Sequence, residues 1–386
     1  MSWEKVKLGE ISFCIQPGPF GSQLHNSDYA YEGTPIIMPK DMVDGHIRHT
    51  GLIRVPEEHV ARLQRHQVRA GNLMVARKGD VRKCVYITES ENGWLTGSDC
   101  LKVALNESVC FPKYIYYQLR SPYIGRWLEQ ISIGATMPSI NTGLLSGIEI
   151  YLPSLETQRR IAGILSAYDD LIENNRKQIK LLEEAAQRLY REWFVNFRFP
   201  GYEHIEIINN LPEGWTLGIL QQIANFKRGK TITKAQVQEG AVPVVAGGLE
   251  PAYYHNIANT KAPVITVSGS GANAGFTRMY YTDVFASDCS FVDASTSDSL
   301  PFVYCLLKSN RSKLDTLQKG AAQPHVYAKD INALELYVPS HDLLQRFCDI
   351  TRPLFAKIGV LERQSIQLSQ ARDRLLPRLM NQDIKI

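Results

Sequence analysis

The chain's 386 residues exceed one ordinary domain, and 44% hydrophobic with 21% charged residues excludes global disorder. No apolar run reaches the ~20 residues that span a bilayer, Met1-Ser2-Trp3-Glu4-Lys5 carries no apolar export signal, and seven cysteines without a CxxC pair disfavour a disulfide framework or a zinc ribbon, so a reducing cytoplasm is expected. A formal charge of +4 is too small to grip nucleic acid by bulk charge, so any useful excess is local or belongs to a partner.

Residues 1–154 hold short β-prone runs, Thr34-Pro-Ile-Ile-Met38, Asn72-Leu-Met-Val-Ala76 and Lys83-Cys-Val-Tyr-Ile-Thr88, punctuated by Gly, Pro, Asn and Asp. A helix is expected near Pro112–Leu119. From Ser154, read as an N-cap with Glu156 in the first turn, a long helix is expected over 155–195. One heptad position there reads Ile161, Tyr168, Asn175, Leu182, Leu189, widened by Ile164, Leu171, Ile172, Ile179, Ala186 and Trp193. Residues 196–210 read as a linker. A second globular block runs to 340, with Val242-Pro-Val-Val245 and Ala262-Pro-Val-Ile-Thr-Val267 as strands and Pro301–Leu307 as a helix. A second long helix fills 341–386, with Phe347, Leu354, Leu361, Leu368 and Leu375 in the same heptad position, flanked by Ile350, Ile358, Ala371 and Leu379. Pro353 predicts a kink or a helix start in its vicinity. Asn175 faces either a partner helix, where it fixes register, or solvent.

The second half repeats the first. Gly134-Ala-Thr-Met-Pro138 is echoed by Gly320-Ala-Ala-Gln-Pro324, and Glu149-Ile-Tyr-Leu-Pro-Ser154 by Glu335-Leu-Tyr-Val-Pro-Ser340. The two heptad series keep the same offset. Ser98-Asp99-Cys100 returns as Ser287-Asp288-Cys289, and Trp3 as Trp215. Several echoes in one order make the chain a tandem repeat: globular α+β block, long helix, globular α+β block, long helix.

No catalytic constellation is evident. Gly269-Ser-Gly271-Ala-Asn-Ala-Gly275 misses the dinucleotide spacing and no Lys-Ser/Thr follows, so it reads as a turn. His46 and His49 lack further ligands, and no metal site is expected. What stands out is basic, glycine-rich loops. Arg77, Lys78, Arg82 and Lys83 lie within seven residues, with Lys40 after a probable strand. Lys227, Arg228 and Lys230 form the densest patch of the second block, backed by Ser270, Asn273 and Arg278. Thr136, Gln323 and His325 sit in or beside the repeated Gly-Ala segment. Such side chains can read base edges or hold phosphates; solvated surface loops are the alternative.

With these features the chain resembles the specificity (S) subunits of type I restriction-modification enzymes. The resemblance covers nearly its whole length. It rests on the alternation of block and helix and on Gly18-Pro-Phe-Gly-Ser22, Gly134-Ala-Thr-Met-Pro-Ser-Ile-Asn141, Leu152-Pro-Ser-Leu-Glu-Thr-Gln-Arg-Arg-Ile161, Lys227-Arg-Gly-Lys230, Val267–Gly275, Ser287-Asp-Cys289 and Gly320-Ala-Ala-Gln-Pro-His325. It implies a non-catalytic, cytoplasmic subunit whose two target-recognition domains, 1–154 and 196–340, each read half of a split target in double-stranded DNA. The helices 155–195 and 341–386 would pair as an antiparallel coiled coil in a pseudo-twofold arrangement and dock two methyltransferase (M) subunits. No cofactor would be bound by this chain. S-adenosylmethionine would belong to the M subunits, and ATP with magnesium to a restriction (R) subunit; no membrane is involved. Ser340-His-Asp-Leu-Leu-Gln345 departs from the first half's Glu156-Thr-Gln158, which implies a weaker cap or a different M contact there. A helical scaffold for proteins and a stand-alone enzyme using the Gly269–Gly275 loop are the rival readings.

Overall fold

The computed structural model describes residues 3–134, 137–318 and 324–384. The chain divides into two compact units, Met1–Ile172 with Gln367–Ile386, and Glu173–Ile366.

In the first unit a four-stranded antiparallel sheet has the order Ser12–Pro17, Cys100–Leu105, Leu73–Ala76, Cys84–Tyr86. A smaller sheet orders Arg54–Val55, Thr34–Ile37 and Leu95–Thr96, the last pair parallel. Glu4–Lys7 pairs with Glu149–Leu152, just before the first long helix. Alternation along the strands sorts the core. Leu73, Val75, Leu101 and Val103 pack under the helix Pro112–Leu119, while Met74, Ala76, Val85 and Cys100 bury Ile37 and Met42 on the other face.

The second unit repeats this plan strand for strand. Its main sheet runs Lys227–Arg228, Cys289–Asp293, Val264–Ser268, Thr277–Tyr280. Its small sheet runs Tyr253–His255, Val242–Val245, Phe285–Ala286, again with one parallel pair. Thr216–Ile219 pairs with Glu335–Val338 before the second long helix. Residues 196–210 are tied to this unit: Phe199 is buried and stacks on Trp215 at 5.7 Å.

The first long helix is Leu155–Tyr190, closed by a π-turn at Arg191–Val195; the second is His341–Met380. A helix start near Pro353 is therefore corrected. Ser340 sets the start, its Oγ accepting from the Leu343 amide at 3.4 Å, and buried Leu343, Leu344 and Phe347 anchor the first turns. Exposed Pro353 lies within the helix. Both helices begin alike, since Ser154 Oγ accepts from the Thr157 amide at 3.3 Å. The difference after the cap is one of packing. Gln158 is fully buried and joins the Phe111 amide to the Pro153 carbonyl, whereas Leu344 fills the matching place.

Within each unit the two helices run antiparallel. In the first, Ile161 and Leu165 share a core with Leu375, Leu376 and Leu379, and Asp169 meets Arg372; Tyr168 and Leu368 are half-buried. In the second, Leu182 and Leu189 pack with Phe347, Leu354 and Ile358. Buried Leu361 and buried Asn175 belong to the same unit, and Asn175 Nδ2 donates to Ser365 Oγ at 3.2 Å and Gln364 Oε1 at 3.4 Å. Asn175 is thus in the seam and satisfied, not solvated. The stripe is narrower than the heptads suggest: Ile164, Leu171, Ile350 and Ala371 are exposed.

Candidate nucleic-acid interface

The basic loops belong to one backbone frame that recurs at the main sheet of each unit, but they occupy different parts of it: 77–83 joins Leu73–Ala76 to Cys84–Tyr86, whereas Lys227–Arg228 is the edge strand that matches Ser12–Pro17. In the first unit, strand Leu73–Ala76 runs into the loop 77–83. The Arg77 amide donates to the Asp99 carbonyl at 2.7 Å, the Gly79 amide to Pro138 at 3.0 Å, and the Ile140 amide to Arg77 at 2.9 Å. In the second, the Gly269 amide donates to the Asp288 carbonyl at 3.2 Å, the Gly271 amide to Pro324 at 3.1 Å, and the Val326 amide to Gly269 at 3.0 Å. A third segment closes each frame: the Gly18 amide reaches Cys100 at 3.2 Å and the Gly229 amide reaches Cys289 at 2.8 Å. Glycine is required at both places. A Cβ on Gly18 would lie 2.1 Å from the Gly97 carbonyl, and one on Gly229 would lie 2.2 Å from that of Ser287.

On this common frame the side chains differ. Lys78 bridges to Ser139 and forms an ion pair with Asp99 at 3.0 Å. Ser270 stands at the matching bridge to His325, and its hydroxyl donates to Asp288. Beside it a cleft of about 210 Å³ is lined by Arg228, Asp288, Ser290, His325 and Tyr327. The His325 ring stacks on Tyr327 at 6.0 Å.

The remaining sequence candidates are distributed as follows. Lys83 Nζ donates to the Pro39 carbonyl at 3.1 Å, which brings the turn bearing exposed Lys40 to the 77–83 loop. Arg82 is engaged by Asp80 at 3.1 Å and Glu129 at 3.2 Å. Among the described residues the side chains of Lys40, Arg77, Lys227, Arg228 and Lys230 have no ion-pair or hydrogen-bond partner. Asn273 ends the short turn Gly271–Asn273. Arg278 lies on the strand after that turn, held by the Leu249 carbonyl at 3.2 Å, by Glu250 at 3.5 Å, and over the Tyr280 ring. Thr136 and Gln323 lie outside the described residues.

Asp99, Asp288, Ser139 and Tyr327 were not among the sequence candidates. The two aspartates had a signal: each is the middle residue of the repeated Ser-Asp-Cys. The cysteines beside them are unsuited to nucleophilic work. Burial pushes the Cys289 thiol up to about 12 and raises that of Cys100 as well. His49 is bonded to Glu91 at 2.5 Å, and no metal-binding group of His, Cys, Asp or Glu occurs among the described residues. No described helix is long and apolar enough to cross a membrane. The frame therefore offers fixed donors and acceptors on two similar edges, a chemistry suited to reading a polar polymer in two places.

Comparison with known proteins agrees. Residues 1–184 and 212–370 match the family described as type I restriction modification DNA specificity domain. The chain is 26% identical over 99% of its length to the type I restriction enzyme MjaIX specificity subunit of Methanocaldococcus jannaschii, covering 93% of that protein. It is 25% identical over 77% of its length to a putative type I specificity subunit of Mycoplasma genitalium, covering 78% of it. The crystal structure of a type I restriction-modification S subunit from M. genitalium superposes with a TM-score of 0.59 at 18% identity, covering 98% of this chain and 96% of that one.

Proposed function

The chain belongs to the type I restriction-modification DNA specificity family, and from that premise we propose that each unit reads one half of a bipartite DNA target without catalysing any reaction itself. It is a DNA specificity subunit, and assembly with other subunits of the system follows from the family. The observation that carries the two-site reading is the repeated frame, in which an aspartate and a hairpin loop are set against a segment ending at Ser139 or His325.

Sequence discrimination needs few contacts, since each good bidentate pair gives ~1–3 kcal/mol. The recognition blocks are charge-balanced, 16 basic with 15 acidic side chains over 1–154 and 12 with 12 over 196–340. Lys40, Arg77, Lys227, Arg228 and Lys230, without partners among the described residues, are side chains available for bases or phosphates. Bulk electrostatic grip comes from two methyltransferase subunits, which also bind S-adenosylmethionine; a restriction subunit would supply ATP-driven cleavage. This chain binds neither cofactor.

The long helices set the gap between half-sites. Their 36 and 40 residues correspond to ~54 and ~60 Å at 1.5 Å per residue, against ~34 Å between successive major-groove faces. Co-expression with the cognate methyltransferase, followed by modified-base sequencing, tests the reading. A split motif that vanishes without this chain is expected; methylation that keeps its motif in its absence overturns it. Inserting one heptad into the first long helix should lengthen the unread spacer and leave both half-sites unchanged, checked by the same sequencing.

A further inference from the structure

The first unit holds a buried cation that its own fold leaves without a counter-ion. Lys102 lies mid-strand in Cys100–Leu105 and is 8% exposed. Its ammonium donates to two main-chain carbonyls, Arg65 at 2.5 Å and Gln67 at 2.8 Å. Among the described residues no carboxylate pairs with it. Buried charges are ordinarily paired, because desolvation of a lone ion costs several kcal/mol. Carbonyl dipoles hold Lys102 in place but bring no negative charge.

Lys102 lines a cleft of about 580 Å³ together with Arg65, Arg69, Gln67, Asn72 and Asn92, and no carboxylate lines it. Arg69 is exposed and has no ion-pair partner among the described residues. Arg65 Nε donates to His66 Nε2 at 3.0 Å, and His66 Nδ1 faces the Pro17 carbonyl at 3.1 Å. Burial and the neighbouring Arg65 lower the His66 pKa. This imidazole thus accepts from Arg65 as a neutral ring and aims the guanidinium stem instead of competing for an anion. The polar amides supply further donors around the three cations.

The second unit lacks the feature. The strand position that matches Lys102 is Phe291, paired with Lys227 as Lys102 is paired with Gln16. The cation is therefore not needed to build this sheet. The cleft also differs in place from the reading loop. Asn72 and Arg77 flank opposite ends of the strand Leu73–Ala76.

We propose that this cleft is a phosphate-binding site of the first unit, with Lys102 and Arg69 as its charged ligands. A tetrahedral oxyanion accepts from a buried ammonium and a guanidinium at once, and the surrounding amides suit its remaining oxygens. The phosphate comes either from the DNA backbone beside the half-site or from a free anion. The first source rests on the function proposed above; the second does not.

The test uses the full chain and inorganic phosphate. Thermal unfolding is followed against phosphate at constant ionic strength, with chloride as the exchanged ion. The melting temperature should rise with phosphate as a saturable isotherm. Arg69→Gln should weaken the apparent Kd by about tenfold, and Lys102→Met should abolish the response. Arg69 is exposed, so its variant folds even if the Lys102 variant does not. A wild-type chain that does not respond, or an Arg69→Gln chain that responds equally, overturns the site. The source is then read in the complex with its methyltransferase on target DNA. A salt slope lower by about 1 in Arg69→Gln assigns the DNA backbone, and an unchanged slope with the phosphate response lost assigns a free anion. Specific DNA binding by a chain without a phosphate response would remove this inference and leave the proposed function standing.

Discussion

The two units have one backbone plan and two chemistries. At the reading edge the same amide-to-carbonyl frame carries Lys78 on Asp99 in one unit and Ser270 on Asp288 in the other. A similar exchange occurs where each unit meets the long helices. Tyr117 donates to Asp169 at 2.6 Å, and Asp169 is in turn bound by Arg372, which also holds Asp373 and Ser369. In the second unit Tyr304 donates to Glu183 at 2.8 Å and meets the Phe355 ring at 5.6 Å. Phe355 follows Asp169 by the repeat offset of 186, the same that separates Ser154 from Ser340. An ionic network in one copy is aromatic packing in the other. A glycine-pinned frame tolerates such exchange because backbone bonds, not side chains, fix the loop path.

The largest expected effect probes that exchange. Arg372 is mostly buried, with 10% of its side chain exposed. Arg372→Leu would leave Asp169 and Tyr117 facing an apolar group. Breaking a buried pair from one side costs about 3–5 kcal/mol, whereas replacing both members with packed apolar groups is often near neutral. Urea unfolding should show that loss for Arg372→Leu and recovery of most of it in the Asp169→Leu/Arg372→Leu double variant. A single variant within about 1 kcal/mol of wild type would break the contrast between the units, since the network would then contribute little.

A smaller effect tests the reading edges against each other. Arg228 and Arg77 both lack a partner among the described residues, and Arg228 lines a cleft with an aspartate and a histidine. Arg228→Ala should cost about 1–3 kcal/mol of binding and relax one position of its half-site if it reads a base. Arg77→Ala should weaken binding evenly across sequences. Competition binding by the assembled methyltransferase on single-base variants of the target separates the two. An Arg228→Ala complex with uniform weakening would assign that guanidinium to phosphate.

Much of this architecture is legible in the residues. The offset echoes give the duplication, the heptads give two long helices, and the β-prone runs Asn72–Ala76, Lys83–Thr88 and Ala262–Val267 give three strands of the main sheets. Ser-Asp-Cys marks the frame, though its role becomes visible only once the hairpin loop lies against it. What escapes the sequence is tertiary. Asp169 and Arg372 are 203 positions apart, and each reads as a solvated helix charge. Lys102 in Cys-Leu-Lys-Val-Ala-Leu reads as an outward-facing strand lysine, yet the turn 65–67 covers it. Ile164, Leu171 and Ile350 satisfy a widened heptad stripe but are exposed, because only one face of each helix is covered. Pro353 suggests a boundary, but the helix is capped at Ser340 and anchored by buried Leu343, Leu344 and Phe347. Periodicity reports which face is apolar, not which partner covers it.

The smallest expected effect concerns a carboxylate in the second unit that, among the described residues, no arginine clamps as Arg372 clamps Asp169. Burial raises the Glu362 carboxyl above its ordinary 4.5; Glu183 and Glu250 add to this, while Arg278 opposes it. The sign follows from proton counting. In the window between the unfolded value and the raised folded one, the folded chain holds more protons than the unfolded chain. The contribution of Glu362 to stability is therefore most favourable below the unfolded value and declines as pH climbs through the window. Above the window the charged carboxylate stays a fixed burden on the fold. Glu362→Gln removes that dependence and should raise the melting temperature at pH 7 while changing little at pH 4. Placing the equivalent neutral group in the first unit, Asp169→Asn, should do the opposite at pH 7, because there the lost charge is the partner of Arg372. Melting curves of both variants at the two pH values decide the matter. If Glu362→Gln is destabilising at pH 7, the carboxylate is held by Arg278 as firmly as Asp169 is by Arg372, and the two units are more alike in their electrostatics than in their residues.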